Sequence, residues 1–335
     1  MKKEIKPALR QDLVSGDWIL ISPVRIRRPS DFFRKEKRQI SQKKDCPFED
    51  LQKTGHSKPF LIYRNKKDWI LKIIQNKFPA VQISQPQKVC ALKSSVGPYL
   101  VMGGIGYHDV LITRDHYKNF PHLSRTDAQL VLRALQERYL QIAQDKNIAH
   151  ISIFHNWGET AGASIYHPHY QIIGIPVIPP DVEHSLEGST AYFRKHQLCV
   201  HCLMIEWELG KRTRIIYEDK ETIAFCPFVS REPFEIRIFP KKHIAYFEGS
   251  TSLQLESVSL ALQKSLLKLE KALADPDYNF FIHTAPLTRK EKFQHYHWHI
   301  EILPQTNISA GFELSTGIEI NPFDPDKAAK ILYAS

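Results

Sequence analysis

Two short stretches of the chain alternate histidine with bulky residues and then run into apolar sequence bounded by proline. The first is Tyr166-His167-Pro168-His169-Tyr170-Gln171, followed by Ile172, Ile173, Ile175 and Val177. The second is His295-Tyr296-His297-Trp298-His299-Ile300-Glu301-Ile302-Leu303-Pro304. Period-two alternation and a short apolar run stopped by proline are strand signals, so each histidine pair is expected at the mouth of a buried strand. The same order of elements precedes both. In the first half, strand Val110-Leu111-Ile112 leads to His116 and then to a helix capped by Ser124. Leu130, Val131, Ala134, Leu135 and Ile142 are spaced to share one face of that helix, and strand Ile151 to Phe154 and a glycine-bearing loop follow. In the second half, strand Phe234 to Phe239 leads to His243. A helix after Ser250 then carries Leu255, Val258, Leu262, Leu266, Leu269 and Leu273, and strand Tyr278 to Ile282 leads to His297.

The spacing supports a duplication: 51 residues separate His116 from His167, and 54 separate His243 from His297. The expected fold class is α+β, with two tandem repeats, each an antiparallel sheet carrying one long helix. The expected domains are residues 1–182 with the His-Pro-His stretch and 183–335 with a Cys-x-x-Cys. Before the first repeat, residues 8–30 read as a hairpin-like opening with a strand over 17–22, residues 31–45 as a loop and 69–74 as a strand; residues 84–98 read as irregular.

The chain has 335 residues, enough for two domains with proper cores, and its 42% hydrophobic and 24% charged content is ordinary for a globular protein. The net charge is +10, with much of the excess between Arg25 and Lys44. Such a run fits a solvated face or an anion-binding surface, and small phosphates suit it better than nucleic acid, because no RNA- or DNA-reading module accompanies it. Five cysteines spread over the chain form no disulfide framework, and no leader or membrane span is apparent. These features are those of a reduced cytoplasmic protein with no membrane and no nucleic-acid partner.

The histidines fall into two sets with cysteine. Cys199-x-x-Cys202 precedes His243 and His297, and Cys46-Pro47-Phe48-Glu49 precedes His116 and His167. Cys199, Cys202, His243 and His297 make a complete tetrahedral zinc set; a redox role for the Cys-x-x-Cys lacks the strand-to-helix setting it needs. The first set is Cys46, Glu49, His116 and His167, where a carboxylate in place of a soft thiolate weakens the site. Zinc is therefore expected more firmly at the second site than at the first, with iron as the alternative ion. If His167 is engaged by metal, His169 is left as a free imidazole nucleophile suited to phosphorus chemistry. Gln171 on the same face can donate to a phosphoryl oxygen. The loop from Asn156 to Ser164 offers backbone N–H groups at Gly158 and Gly162 and a hydroxyl at Ser164.

Asn156-x-Gly158, Gly162-x-Ser164 and His167-Pro168-His169-x-Gln171 resemble the signature of the galactose-1-phosphate uridylyltransferase family, a two-repeat branch of the histidine triad superfamily. The resemblance extends over nearly the whole chain. It includes Asp12-x-x-Ser15-Gly16-x-Trp18, Arg25-x-x-Arg28-Pro29, Cys46-Pro47-Phe48, Asn76-Lys77-Phe78-Pro79, Gly106-x-His108-Asp109-Val110, Asp115-His116, Pro240-Lys241-x-His243, Gly311-Phe312-Glu313 and Thr316-Gly317.

The resemblance implies catalysis by His169 and Gln171. His169 attacks a nucleoside diphosphate sugar, releases sugar 1-phosphate and forms a nucleotidyl-histidine that a second sugar 1-phosphate or phosphate resolves. It further implies that Ser164, Gly158, Asn156, Asn76, Arg25 and Arg28 meet nucleotide or phosphate, that Glu313 meets the sugar, and that the protein is a homodimer. UMP transfer from UDP-glucose to galactose 1-phosphate is the leading expectation. Glu49 for cysteine, Tyr170 for glycine and the absence of lysine in Asn307-Ile308-Ser309-Ala310 depart from the uridylyltransferase pattern. Tyr170 is expected to alter the pocket wall. The last two departures, with the second Cys-x-x-Cys, also resemble plant-type ADP-glucose phosphorylase, so adenylyl transfer to phosphate is the alternative. A reading of another class is a non-catalytic nucleotide-binding sensor.

Overall fold

The computed structural model describes residues 6–23, 32, 38–83 and 94–335. Arg25 and Arg28 lie outside the described residues. The chain opens with an antiparallel hairpin, β1 (Ala8–Gln11) and β2 (Trp18–Ile21), turned at Gly16. The first half then supplies β3 (Leu61–Arg64), β4 (Trp69–Gln75), a small exposed hairpin of β5 (Ser94–Val96) and β6 (Tyr99–Val101), and β7 (Tyr107–Thr113). The hairpin places a strand in part of the 84–98 segment that reads as irregular; residues 84–93 lie outside the described residues. Helix α1 (Arg125–Ile142) follows, started as its sequence predicts: the Ser124 hydroxyl accepts from the Asp127 N–H at 3.1 Å. Strands β8 (His150–Trp157) and β9 (His169–Ile175) complete this half.

Two helices without a strong sequence signal come next, α2 (Pro180–His196), which contains residue 182, and α3 (Val200–Lys211). The second half repeats the first: β10 (Ile215–Glu218), β11 (Thr222–Phe225), β12 (Ile236–Pro240), α4 (Ser252–Leu273), β13 (Tyr278–His283) and β14 (His299–Pro304). The short helix α5 (Gly311–Thr316), strand β15 (Ile320–Asn321) on β2, and α6 (Pro325–Ala334) close the described chain.

The two antiparallel sheets join edge to edge. Ten strands run in the order β10-β11-β12-β14-β13-β8-β9-β7-β4-β3, with every pair antiparallel and β13 hydrogen-bonded to β8 at the middle. Reading outward from that seam, each strand of one half meets its counterpart in the other, and Phe154 of β8 pairs directly with Phe281 of β13. A local two-fold therefore passes between those strands. Helices α1 and α4 lie side by side on one face, where Leu111, Ile153, Tyr170, Ile172, Phe280, Ile300 and Ile302 meet Val131, Leu135, Val258, Leu262 and Leu266 in one continuous core. Because strand residues alternate, His169, Gln171, Asn156 and His108 fall on the opposite face. Tyr170 therefore does not line the pocket wall: its ring is fully buried on the helix side, stacked 4.8 Å from His155 and edge-on to Phe120. No helix among the described residues is long and apolar enough to cross a membrane.

Candidate active site

Pro168 ends the loop, and β9 begins at His169, which places this side chain at the entrance of the strand. His169 Nδ1 lies 2.9 Å from the backbone oxygen of His167. A carbonyl can only accept, so Nδ1 carries the hydrogen and Nε2 the lone pair. Nε2 has no partner among the described residues, and the side chain keeps 8% of its surface exposed, against none for His167 two positions earlier. Burial lowers the imidazole's pKa from its ordinary value, which favours the neutral, nucleophilic form. Phe48 walls this side, its ring 5.5 Å from that of His169.

Gln171, two residues along the same face, has its Oε1 2.9 Å from His108 Nε2. Asn76, just past the end of β4, lies beside the same imidazole at 3.0 Å. Asn156 joins them from β8; its Oδ1 accepts from Asn279 Nδ2 at 2.8 Å, leaving its amide nitrogen free among the described residues.

The loop between β8 and β9 is fixed from the second half of the chain. Thr160 donates through both N–H (2.9 Å) and hydroxyl (2.7 Å) to the Asp277 carboxylate, whose other oxygen accepts from Arg38 at 2.8 Å. Asn279 also donates to the Ala161 carbonyl at 2.8 Å. Gly158, at φ +92°, sits so close that any Cβ would run into Asp277. Ser164, farther along, is exposed, and its hydroxyl has no partner among the described residues. Glu313 stands apart: buried in α5, it accepts from the Ala310 N–H at 3.0 Å and shares no hydrogen bond with the His169 group.

Both metal-ligand sets converge. His167 Nδ1 is 3.4 Å from Cys46 Sγ and 3.2 Å from His116 Nδ1, and Glu49 Oε1 is 3.7 Å from both imidazoles. That Glu49 oxygen is buried with no hydrogen-bond partner among the described residues, while its twin pairs with Arg114 at 3.2 Å. Cys46, His116 and His167 bring their ligand atoms within 4.8 Å of one another, a group that does not include Glu49, whose Oε1 faces the two imidazoles. In the second set Cys202 Sγ is 3.3 Å from His243 Nδ1 and 3.5 Å from His297 Nδ1, and Cys199 completes a group whose ligand atoms all lie within 4.8 Å. A tetrahedral zinc site has sulfur–nitrogen edges of about 3.6 Å, so the donors present fit such an ion.

The outer nitrogens support this. Nε2 of His167, His116 and His243 face the backbone oxygens of Thr113, Ser41 and Gln294 at 2.7, 3.0 and 2.8 Å, which turns each Nδ1 lone pair inward. Cys199 begins α3 directly after α2, a helix-to-helix setting rather than the strand-to-helix one of a redox motif. A third cluster, His283, His299 and Glu301, has its carboxylate engaged by Arg231 at 2.6 Å and Arg237 at 3.0 Å.

Sequence reasoning did not assign His108, Asp277 or Asn279 to the site. His108 was visible within Gly106-x-His108-Asp109-Val110, but its partners come from other strands; Asp277 and Asn279 carry no local signal, because they belong to the other repeat.

A family model for the galactose-1-phosphate uridyl transferase N-terminal domain matches residues 1–179, and a HIT-domain model matches residues 209–306. The chain is 34% identical to ADP-glucose phosphorylase of Arabidopsis thaliana over 331 residues, 97% of this chain and 92% of that protein. It is 24% identical to galactose-1-phosphate uridylyltransferase of Thermotoga maritima over 333 residues, 97% of each. An Arabidopsis thaliana ADP-glucose phosphorylase solved with bound ADP-glucose superimposes with a TM-score of 0.83 at 30% identity, covering 98% of this chain and 99% of that one. A solved uridylyltransferase superimposes at 0.75 with 26% identity over 97% of each chain. With both halves matched and such relatives aligned almost end to end, the chain belongs to the galactose-1-phosphate uridylyltransferase family of nucleotidyltransferases.

Proposed function

We propose that the chain moves a nucleotidyl group from a nucleoside diphosphate sugar to phosphate or a sugar 1-phosphate in two displacements at His169. The observation that carries this reading is the Nδ1 contact to the His167 carbonyl, which leaves the Nε2 lone pair without a partner among the described residues, on the strand face that also carries Gln171. In the first displacement Nε2 attacks the α-phosphorus, the bond to the bridging oxygen breaks, and sugar 1-phosphate leaves with that oxygen. In the second, an oxygen of the incoming phosphate attacks the same phosphorus, and the phosphorus–nitrogen bond breaks to restore the imidazole. Gln171, Ser164 and the backbone at Gly158 hold phosphoryl oxygens in this scheme. Asn76, Asn156, Arg25 and Arg28 meet the nucleotide, and Glu313 meets the sugar.

Cys199, Cys202, His243 and His297 would hold one zinc ion, and Cys46, Glu49, His116 and His167 a second. Zinc, when bound, supplies cross-links rather than reacting groups. At the first site those links fix His167, whose carbonyl in turn orients His169. A homodimer in the cytoplasm belongs to the same reading.

Two substrate pairs have specific support. UDP-glucose with galactose 1-phosphate is supported by the family model and by several uridylyltransferase relatives. ADP-glucose with phosphate is supported by the higher identity, 34% against 24%, to the phosphorylase, and this difference favours the adenylyl pair. Exchange of label between each sugar nucleotide and its sugar 1-phosphate, with phosphate and galactose 1-phosphate as acceptors, separates them. Exchange with neither nucleotide would contradict the reading and leave a binding protein in its place.

A further inference from the structure

Only one end of the Gln171 amide can donate to a phosphoryl oxygen, and which end faces the site depends on what holds the other. The backbone N–H of Ala80 donates to His108 Nδ1 at 3.0 Å. A backbone N–H cannot accept, so Nδ1 carries the lone pair and the neutral ring's hydrogen sits on Nε2. That nitrogen is 2.9 Å from Gln171 Oε1. The Asn76 amide nitrogen is also close, at 3.0 Å, but it is itself a donor, because Asn76 Oδ1 accepts from the Phe78 N–H at 3.0 Å. The acceptor facing Nε2–H is therefore Gln171. His108 is buried on β7, in register with Ile173 of β9, on the face that carries His169.

We infer that His108 is a positioning residue: with its tautomer set by the Ala80 backbone, it holds the Gln171 oxygen and turns the Gln171 NH2 toward the phosphate that His169 attacks. The inference rests on the proposed function and assigns the orientation of its amide donor. It requires the Gln171 NH2 to be free, and no partner for it occurs among the described residues.

A double-mutant cycle on the full chain tests it, with His108→Phe, Gln171→Ala and the double variant. Single-turnover formation of the nucleotidyl adduct from ADP-glucose and UDP-glucose is the rate followed, and sugar-nucleotide affinity by calorimetry is a second readout independent of turnover. His108→Phe is expected to slow adduct formation about 10- to 100-fold in the parent. In the Gln171→Ala background it is expected to change the rate by less than about twofold, because the group it positions is gone. His108→Gln, whose amide can accept from Ala80 and donate to Gln171, is expected to recover most of the rate. Equal losses in both backgrounds would mark His108 as scaffold and overturn the inference, as would an unchanged rate in His108→Phe. If the parent forms no adduct, the proposed function fails, and the affinity cycle judges His108 by the same comparison.

Discussion

His169 and His167 are two residues apart in one motif, yet they have opposite surroundings. Both Nδ1 and Nε2 of His167 are engaged, the first in the ligand set and the second with Thr113, whereas His169 uses only Nδ1 among the described residues. His169→Ala is accordingly expected to abolish adduct formation while leaving metal content and the melting temperature near those of the parent, as elemental analysis and calorimetry would check. A buried imidazole elsewhere gives a pH prediction. Burial, with a smaller contribution from His283, holds His150 down to about 4 from an ordinary 6.5. Above pH 6.5 both folded and unfolded chains keep this ring neutral, and its contribution to stability is complete. As pH falls from 6.5 to 4 only the unfolded chain takes the proton, so stability is lost by ~3 kcal/mol over that window. Denaturant unfolding of His150→Gln at pH 7 and pH 4.5 should show a smaller difference than the parent. At this scale the motif residues could be proposed as candidates from the sequence because their chemistry is written locally. His108 was missed as a positioning group because an Ala80 N–H that follows β4 sets its tautomer. Tyr170 was misjudged although strand alternation, applied one residue further, puts it on the face opposite His169.

Among the elements, the loop between β8 and β9 depends on β13 and the turn before it. Thr160 and Ala161 hang on Asp277 and Asn279, and Arg38 closes the same carboxylate cluster. Asp277→Ala is expected to raise hydrogen exchange across residues 158–164 and slow adduct formation about 10-fold or more, with less effect on global stability. Unchanged exchange in that segment would contradict the brace. The strands and long helices were readable from periodicity and from Ser124, because their burial on one face imposes the pattern. Helices α2 and α3 were not, and Gly188 in the middle of α2 does not break that helix. Gly188 is instead a close approach: a Cβ there would collide with the Val14 carbonyl of the opening segment. Only the tertiary packing explains it.

At the scale of the whole molecule, the local two-fold maps Asn156, His169 and Gln171 onto His283, His299 and Glu301. His299 even repeats the lock, with Nδ1 3.1 Å from the His297 carbonyl. The second copy differs in chemistry, because a carboxylate replaces the amide and is gripped by Arg231 and Arg237, so that position has no amide to donate to a phosphoryl oxygen. The two ligand sets are unequal in the same asymmetric way. Elemental analysis is expected to find two ions per chain, with the Cys46–Glu49 site released first to chelator and Glu49→Cys slowing that release. Cys199→Ser is expected to lower the melting temperature by more than about 5 °C. The duplication was visible in sequence spacing, but the fusion of both sheets into one was not, because edge pairing between β8 and β13 leaves no mark beyond ordinary strand composition. The most direct test is a rapid quench after mixing with phosphorus-labelled ADP-glucose or UDP-glucose, followed by peptide mapping. One acid-labile nucleotidyl group per chain, on His169, is expected; label on another residue, or none with either nucleotide, would overturn the two-displacement reading.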